Sequence, residues 1–235
     1  MPFLVNAVSY GLSAAGLSRI RTPLQEPRSQ RGTGSLLAEI GEGTGFVARS
    51  SFLRAVVLVA APLNFALSGA IFAAVVALQH AHASPGVIGL AQACVGAGGL
   101  LGALFAARLI RALPMRRLVA AICTALVLAC LAAAGLNGRF VMILPLALGF
   151  FLAPAGNAAL FARLGSTTPD LLLSRVISVI VLAATASAAL APGASGMLAE
   201  ITGTTVAPLL VCAALPGLAL LVALTAPGLA EESRG

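Results

Sequence analysis

Uncharged polar side chains recur at helical spacing inside long apolar runs, and they are the first groups here that could do chemistry. Asn64, Ser68 and Phe72 stand four residues apart, just after Pro62. Gln92, Gly96, Gly99 and Ala103 share one side of the following run. Phe150, Pro154, Asn157 and Phe161 share a side of a third, and Ser178, Thr185 and Pro192 are spaced by seven in a fourth. Residues three, four or seven apart lie on one face of a helix. Two uses are open to each polar group. One is an interhelical hydrogen bond, averaging about 0.6 kcal/mol in membranes. The other is a place in the wall of an aqueous or ligand cavity. As a set, they point to a cavity between these four runs.

Other chemistry finds less support. No Asp, Glu or Arg lies deep in any apolar run, and the chain has no Lys. A charge at mid-bilayer costs about 2.5–3.5 kcal/mol on insertion scales and marks an ion path or proton relay, so no coupling carboxylate is expected here. Cys94, Cys123, Cys130 and Cys212 fall inside apolar stretches with no CxxC pair, as small buried hydrophobes do. His80 and His82 stand in the loop QHAHASPG with nothing nearby to complete a metal site. Hydrolysis would need a nucleophile beside a base or metal. The chain is therefore read as no enzyme, with no cofactor and no metal.

The elements that hold these groups belong to lipid. Of 235 residues, 60% are hydrophobic and 9% charged, and the mean hydropathy is +1.05. A soluble domain carries about 25% charged residues, and no water-soluble fold of this length hides so much apolar surface. The net charge of +7 does not indicate nucleic acid, because the arginines sit in short clusters between apolar runs. Crossing the hydrocarbon takes about 20 apolar residues. Seven runs approach or reach that length: 2–18, 55–79, 87–107, 118–135, 141–162, 176–199 and 205–225. The sequence predicts an all-α, polytopic membrane helix bundle of about seven transmembrane helices. Residues 1–18 form a partial helix, 19–54 a linker, 55–225 a six-helix bundle and 226–235 a tail.

Arginine sets the orientation. Arg19, Arg21, Arg28, Arg31, Arg49 and Arg54 lie in the long connection, and Arg108, Arg111, Arg116 and Arg117 in the third. Arg163 and Arg175 lie in the fifth, and Arg234 ends the tail. Thirteen of the 14 basic residues thus fall on alternate connections, with Arg139 alone on the other side. The positive-inside rule places the C-terminus in the cytoplasm and Met1 outside. The first run carries its charge after its apolar stretch, the wrong order for a signal peptide, and at 17 residues it reads as a helix short of its outer turn.

The long connection has two parts. RTPLQEPRSQRGTG is linker by composition. GTGSLLAEIGEGTGFVARSSFLR sets Leu36, Leu37, Ile40, Phe46 and Val47 near one helical side, which suits an interfacial helix on the inner leaflet or, alternatively, a flexible linker. Runs 118–135 and 205–225 carry almost nothing polar at mid-depth and are expected to face lipid on the outside. Gly98 and Gly102 make a small-xxx-small pair that allows close backbone approach. Pro62, Pro154 and Pro192 each free a carbonyl and bend their helix, which suits an element that rocks.

Three stretches resemble the second half of a major facilitator superfamily transporter, in particular the bacterial drug- and siderophore-exporter-like members. GVIGLAQACVGAGGLLGALFAARLIRALPMRRLV resembles the second-half motif in which a Gly-rich helix ends in a short Arg-rich cytoplasmic turn. PAGNAALFARLGSTTPDLLLSRVISV resembles the exporters' helix–loop–helix, and EIGEGTGFVARSSFLR the end of their central linker. The chain departs from the pattern twice: LFAARLIR has no Asp near the helix end, and Ser174 stands before Arg175 in place of Gly.

The resemblance implies twelve spans in two halves, with residues 2–18 matching the end of the sixth helix and the last six runs matching helices seven to twelve. It implies an exporter-like secondary transporter in the plasma (inner) membrane, moving a small molecule by alternating access, here as a half without its N-terminal bundle. The partners are then the lipid bilayer, a small-molecule substrate, and a separately encoded N-terminal half or a second copy in a parallel homodimer. Arg108, Arg111, Arg116, Arg117 and Arg175 with Asp170 would form a cytoplasmic gate or serve only as topology charges. A non-transporting scaffold or degenerate remnant is the alternative function.

Overall fold

A computed structural model describes residues 2–19 and 36–225. Linker residues 20–35, tail residues 226–235 and the side chain of Asp170 lie outside the described residues. Among the described residues every regular element is helical. Residues 1–37 and 38–235 form two compact units. The first holds α1 (Pro2–Ser18). Its 17 residues span about 25 Å at 1.5 Å per residue, short of a hydrocarbon core about 30 Å thick.

The second unit contains α2 (Leu36–Arg49) from Ala38 onward, α3 (Ser51–His80), α4 (Pro85–Ala112), α5 (Met115–Gly135), α6 (Ile143–Phe151), α7 (Ala153–Thr167), α8 (Asp170–Thr202) and α9 (Val206–Thr225). A short 3-10 turn, Phe140–Met142, leads into α6. Among the described residues, counting 140–167 as one interrupted helix, six helices are long and apolar enough to cross a membrane. The protein is a multi-pass membrane helix bundle.

Local chemistry explains where helices start and break. Ser50 caps α3 by accepting from the Leu53 N–H at 3.3 Å. Ser84 caps α4 by accepting from Val87 at 3.4 Å, with Pro85 in the first turn, where its missing N–H costs nothing. The break between α6 and α7 falls at Leu152, two residues before Pro154. Pro154 cannot donate to the Phe150 carbonyl, which instead accepts from Leu152. Pro62, Pro192 and Pro216 sit within continuous helices.

The packing has a simple order. α3 lies along α8 and α9, α6–α7 lies along α4 and α5, and α5 lies along α9. Exchange the triplet α3, α4, α5 with the triplet α6–α7, α8, α9, and this pattern maps onto itself.

Small residues make these approaches possible. Ala66, Ala70, Ala73, Ala74 and Ala77 bury one side of α3. A Cβ on Gly98 would stand 2.3 Å from the Ala147 carbonyl oxygen, and one on Gly102 only 1.8 Å from that of Phe151. The Gly98 and Gly102 pair is therefore where α4 meets the α6 backbone. Gly149 and Gly156, seven residues apart, do the same toward Ala129 and Ile122 of α5.

The two helices expected to face lipid on the outside also pack extensively within the unit. In α5, 50% of the span is buried within the unit and in α9 39%, against 17% for both α4 and α8. α5 and α9 each keep one lipid-ready edge, with Leu128, Leu131, Leu218 and Leu221 exposed. Their opposite faces, carrying Leu126, Cys130, Leu209 and Cys212, are fully buried. A side chain without polar atoms suits lipid and protein interior equally, so low polarity alone could not assign these helices to the outside.

The connections sort to two ends. At one end, the Arg163 guanidinium at the close of α7 lies over the Phe52 ring at the start of α3, 5.4 Å from its centroid. There too Arg116, opening α5, donates to the Leu224 carbonyl near the end of α9. At the other end the Thr205 hydroxyl donates to the Asn137 side-chain oxygen at 2.9 Å. That contact joins two turns whose glycines, Gly138 (φ 75°) and Gly203 (φ 65°), occupy the left-handed region open to residues without a Cβ. Arg139 belongs to this second end.

Candidate functional site

Asn64 and Asn157 open onto one cavity of about 100 Å³ between α3, α5 and α7. Apolar side chains make most of its wall, among them Leu63, Leu67, Val119, Ile122 and Leu160. Asn64 stands two residues after Pro62, and its amide nitrogen donates to the Ala60 carbonyl at 2.9 Å. Among the described residues the Asn157 amide has no hydrogen-bond partner. Gly156 leaves the space beside it: a Cβ there would come within 2.5 Å of the Ile122 Cδ1. The arrangement can accept and donate hydrogen bonds from a greasy wall. It offers a ligand no charge, nucleophile or base.

The other candidates go elsewhere. The Ser68 hydroxyl donates to the Ala188 carbonyl of α8 at 2.9 Å, an interhelical bond. The Phe72 ring lies where a Cβ on Gly196 of α8 would touch it at 3.4 Å. Phe150 packs partly buried against the main core, and Phe161 is exposed. Gln92 is exposed on α4. Ser178 and Thr185 are exposed on α8, their hydroxyls turned back to the Ser174 and Val181 carbonyls of their own helix at 2.8 and 2.7 Å. Of the four expected faces, those on α3 and α7 therefore each bring one residue, Asn64 and Asn157, to a shared cavity. Those of α4 and α8 look outward, and α5 supplies the third wall.

The arginine-rich end has its own contacts. Arg175 pairs with Glu42 of α2. A Cβ on Gly43 would stand 3.2 Å from the Arg175 Cβ, so of the three glycines in α2 this one lets it approach α8. Val47 is buried, in a cluster with Leu53, Val56, Leu164, Val176 and Ile180. The Val47 end of α2 thus packs on the bundle itself, while the side chains of Leu36, Leu37 and Ile40 lie outside the described residues. Arg108 lies over Phe105 at 5.6 Å, Arg111 Nε donates to the Ala107 carbonyl at 3.1 Å, and Arg117 is exposed.

Sequence reasoning missed three features: α5 as a cavity wall, the Glu42–Arg175 pair, and the Asn137–Thr205 contact. The first had a signal. Gly149 and Gly156, a heptad apart, mark the side of α6–α7 that needs a close neighbour. The second and third join residues 133 and 68 positions apart, and no local pattern reports such a pair. Among the described residues no group of three His, Cys, Asp or Glu could hold a metal. No protein-family model matches this chain, and no curated protein sequence matches it either.

Proposed function

We propose that this bundle is one half of a secondary transporter of the major facilitator kind, exporter-like, moving a small amphipathic molecule by alternating access. The observation that carries the reading is the exchange symmetry of the packing. Each triplet has three spans, so its two copies run in opposite directions through the membrane. Inverted three-plus-three repeats of this sort are nested within each six-helix half of that superfamily.

Two further features support it. α4 and α8, the least buried spans, turn Gln92, Ser178, Thr185 and several small residues outward, a face suited to close packing with a second bundle. That second bundle would complete the transporter. The Asn64–Asn157 cavity is then part of the substrate path. Its amides and apolar walls fit a neutral or amphipathic solute, and coupling acids come from the other bundle. The positive-inside rule puts the arginine-rich end and the C-terminus in the cytoplasm of a cell whose plasma membrane holds the protein.

The test is water access. In a cysteine-free background, single cysteines replace Asn64 and Asn157 in sealed vesicles containing the assembled protein. Under alternating access, a membrane-impermeant maleimide labels both positions, from either side in turn. Labelling only by lipid-soluble reagents would show a cavity filled by lipid and would end the transport reading.

A further inference from the structure

Arg111, in the last turn of α4, and Arg163, near the end of α7, line one cavity of about 500 Å³ at the arginine-rich end. The remaining wall is chiefly apolar, with Ile110, Leu113, Pro114 and Leu118 facing Ala159 and Ala162. The Arg163 guanidinium is held over the Phe52 ring, which fixes a flat cation with little loss of entropy on binding. Arg111 is exposed and uses one of its five donors on the Ala107 carbonyl. Glu42, a described acid at this end, is engaged by Arg175.

We propose that this cavity binds the phosphate-bearing headgroup of an anionic phospholipid from the leaflet at the arginine-rich end. Two guanidiniums offer positive charge and paired N–H donors to the two free oxygens of a phosphate diester. The site lies at the ends of spanning helices, the depth at which headgroups sit, and basic pockets between such helices suit anionic lipids. A free phosphate would engage the same arginines. It would leave the half-buried Ile110 and Leu113 unused, whereas the glycerol backbone and upper acyl chain of a lipid cover them. The proposal rests on the membrane fold and is independent of transport.

Native mass spectrometry of the full chain in detergent tests it, with phosphatidylglycerol and phosphatidylcholine of equal chain length as probes. The expected result is about tenfold preference for phosphatidylglycerol. Arg111→Gln, at an exposed helix end, lowers that affinity about fivefold, near 1 kcal/mol for one cation. Arg163→Gln does the same, while Arg163→Lys keeps most of the preference and so separates lost charge from lost packing. Arg139→Gln, at the opposite end, changes nothing. The proposal fails if Arg111→Gln and Arg163→Gln both retain full preference, or if Arg139→Gln weakens binding as much as they do. It also fails if glycerol 3-phosphate displaces the lipid at equal concentration, since the site would then read free phosphate.

Discussion

Two of the glycine-lined junctions in this bundle are built differently. Where α4 meets α6, Gly98 and Gly102 face backbone: the nearest atoms to an added Cβ are the carbonyl groups of Ala147 and Phe151. Where α3 meets α8 and α9, Gly69 faces side-chain tips, the Cys212 sulfur at 2.8 Å and the Ser195 hydroxyl at 2.9 Å. Backbone in a helix cannot step aside without breaking its own hydrogen bonds, but a side chain can rotate. The same residue type therefore carries very different structural weight at the two junctions. Without a hydrophobic drive between helices in lipid, such close contacts supply much of the association energy.

The largest effect should come from Gly102→Ala. An added methyl 1.8 Å from the Phe151 oxygen forces α4 and α6 apart along their length, at about 3 kcal/mol, the upper end of ordinary overpacking. Gly98→Ala, at 2.3 Å, should cost about 2 kcal/mol on the same scale. Unfolding of the purified chain in mixed micelles measures both. If either variant unfolds with wild-type stability, the backbone contact does not exist in the membrane. Gly69→Ala should cost less, about 1 kcal/mol, because Cys212 and Ser195 can turn away. Pairing Gly69→Ala with Cys212→Ala sharpens the contrast: the double variant should recover part of the loss, whereas Gly102→Ala has no comparable rescue.

The junctions also differ in how far the amino-acid order revealed them. The α4 junction was legible, because Gly98 and Gly102 sit four apart in a Gly-rich run and such spacing puts both on one face. Gly69 was not, since it stands singly among alanines that look equally at home against lipid. The spans themselves were legible because hydrocarbon thickness dictates their length. Which of them lie inside was not, because α5 and α9 have apolar side chains on both their buried and their exposed edges. The Asn64–Asn157 cavity falls between these cases. Each asparagine stood out as a polar group in an apolar run, yet Ser68 and Thr185 did so equally. Only the packing separates an amide facing a cavity from a hydroxyl spent on a carbonyl.

That last distinction gives the smallest measurable effect. The Ser68 hydroxyl bonds α3 to the Ala188 carbonyl of α8, so Ser68→Ala should cost about 0.6 kcal/mol, the membrane average. Thr185 bonds only within α8, so Thr185→Val should leave unfolding unchanged within error. Their order matters more than their size. If Thr185→Val destabilises and Ser68→Ala does not, α8 is rotated relative to α3. The outward face of α8 would then be an inward one, and the surface assigned to a second bundle would disappear with it.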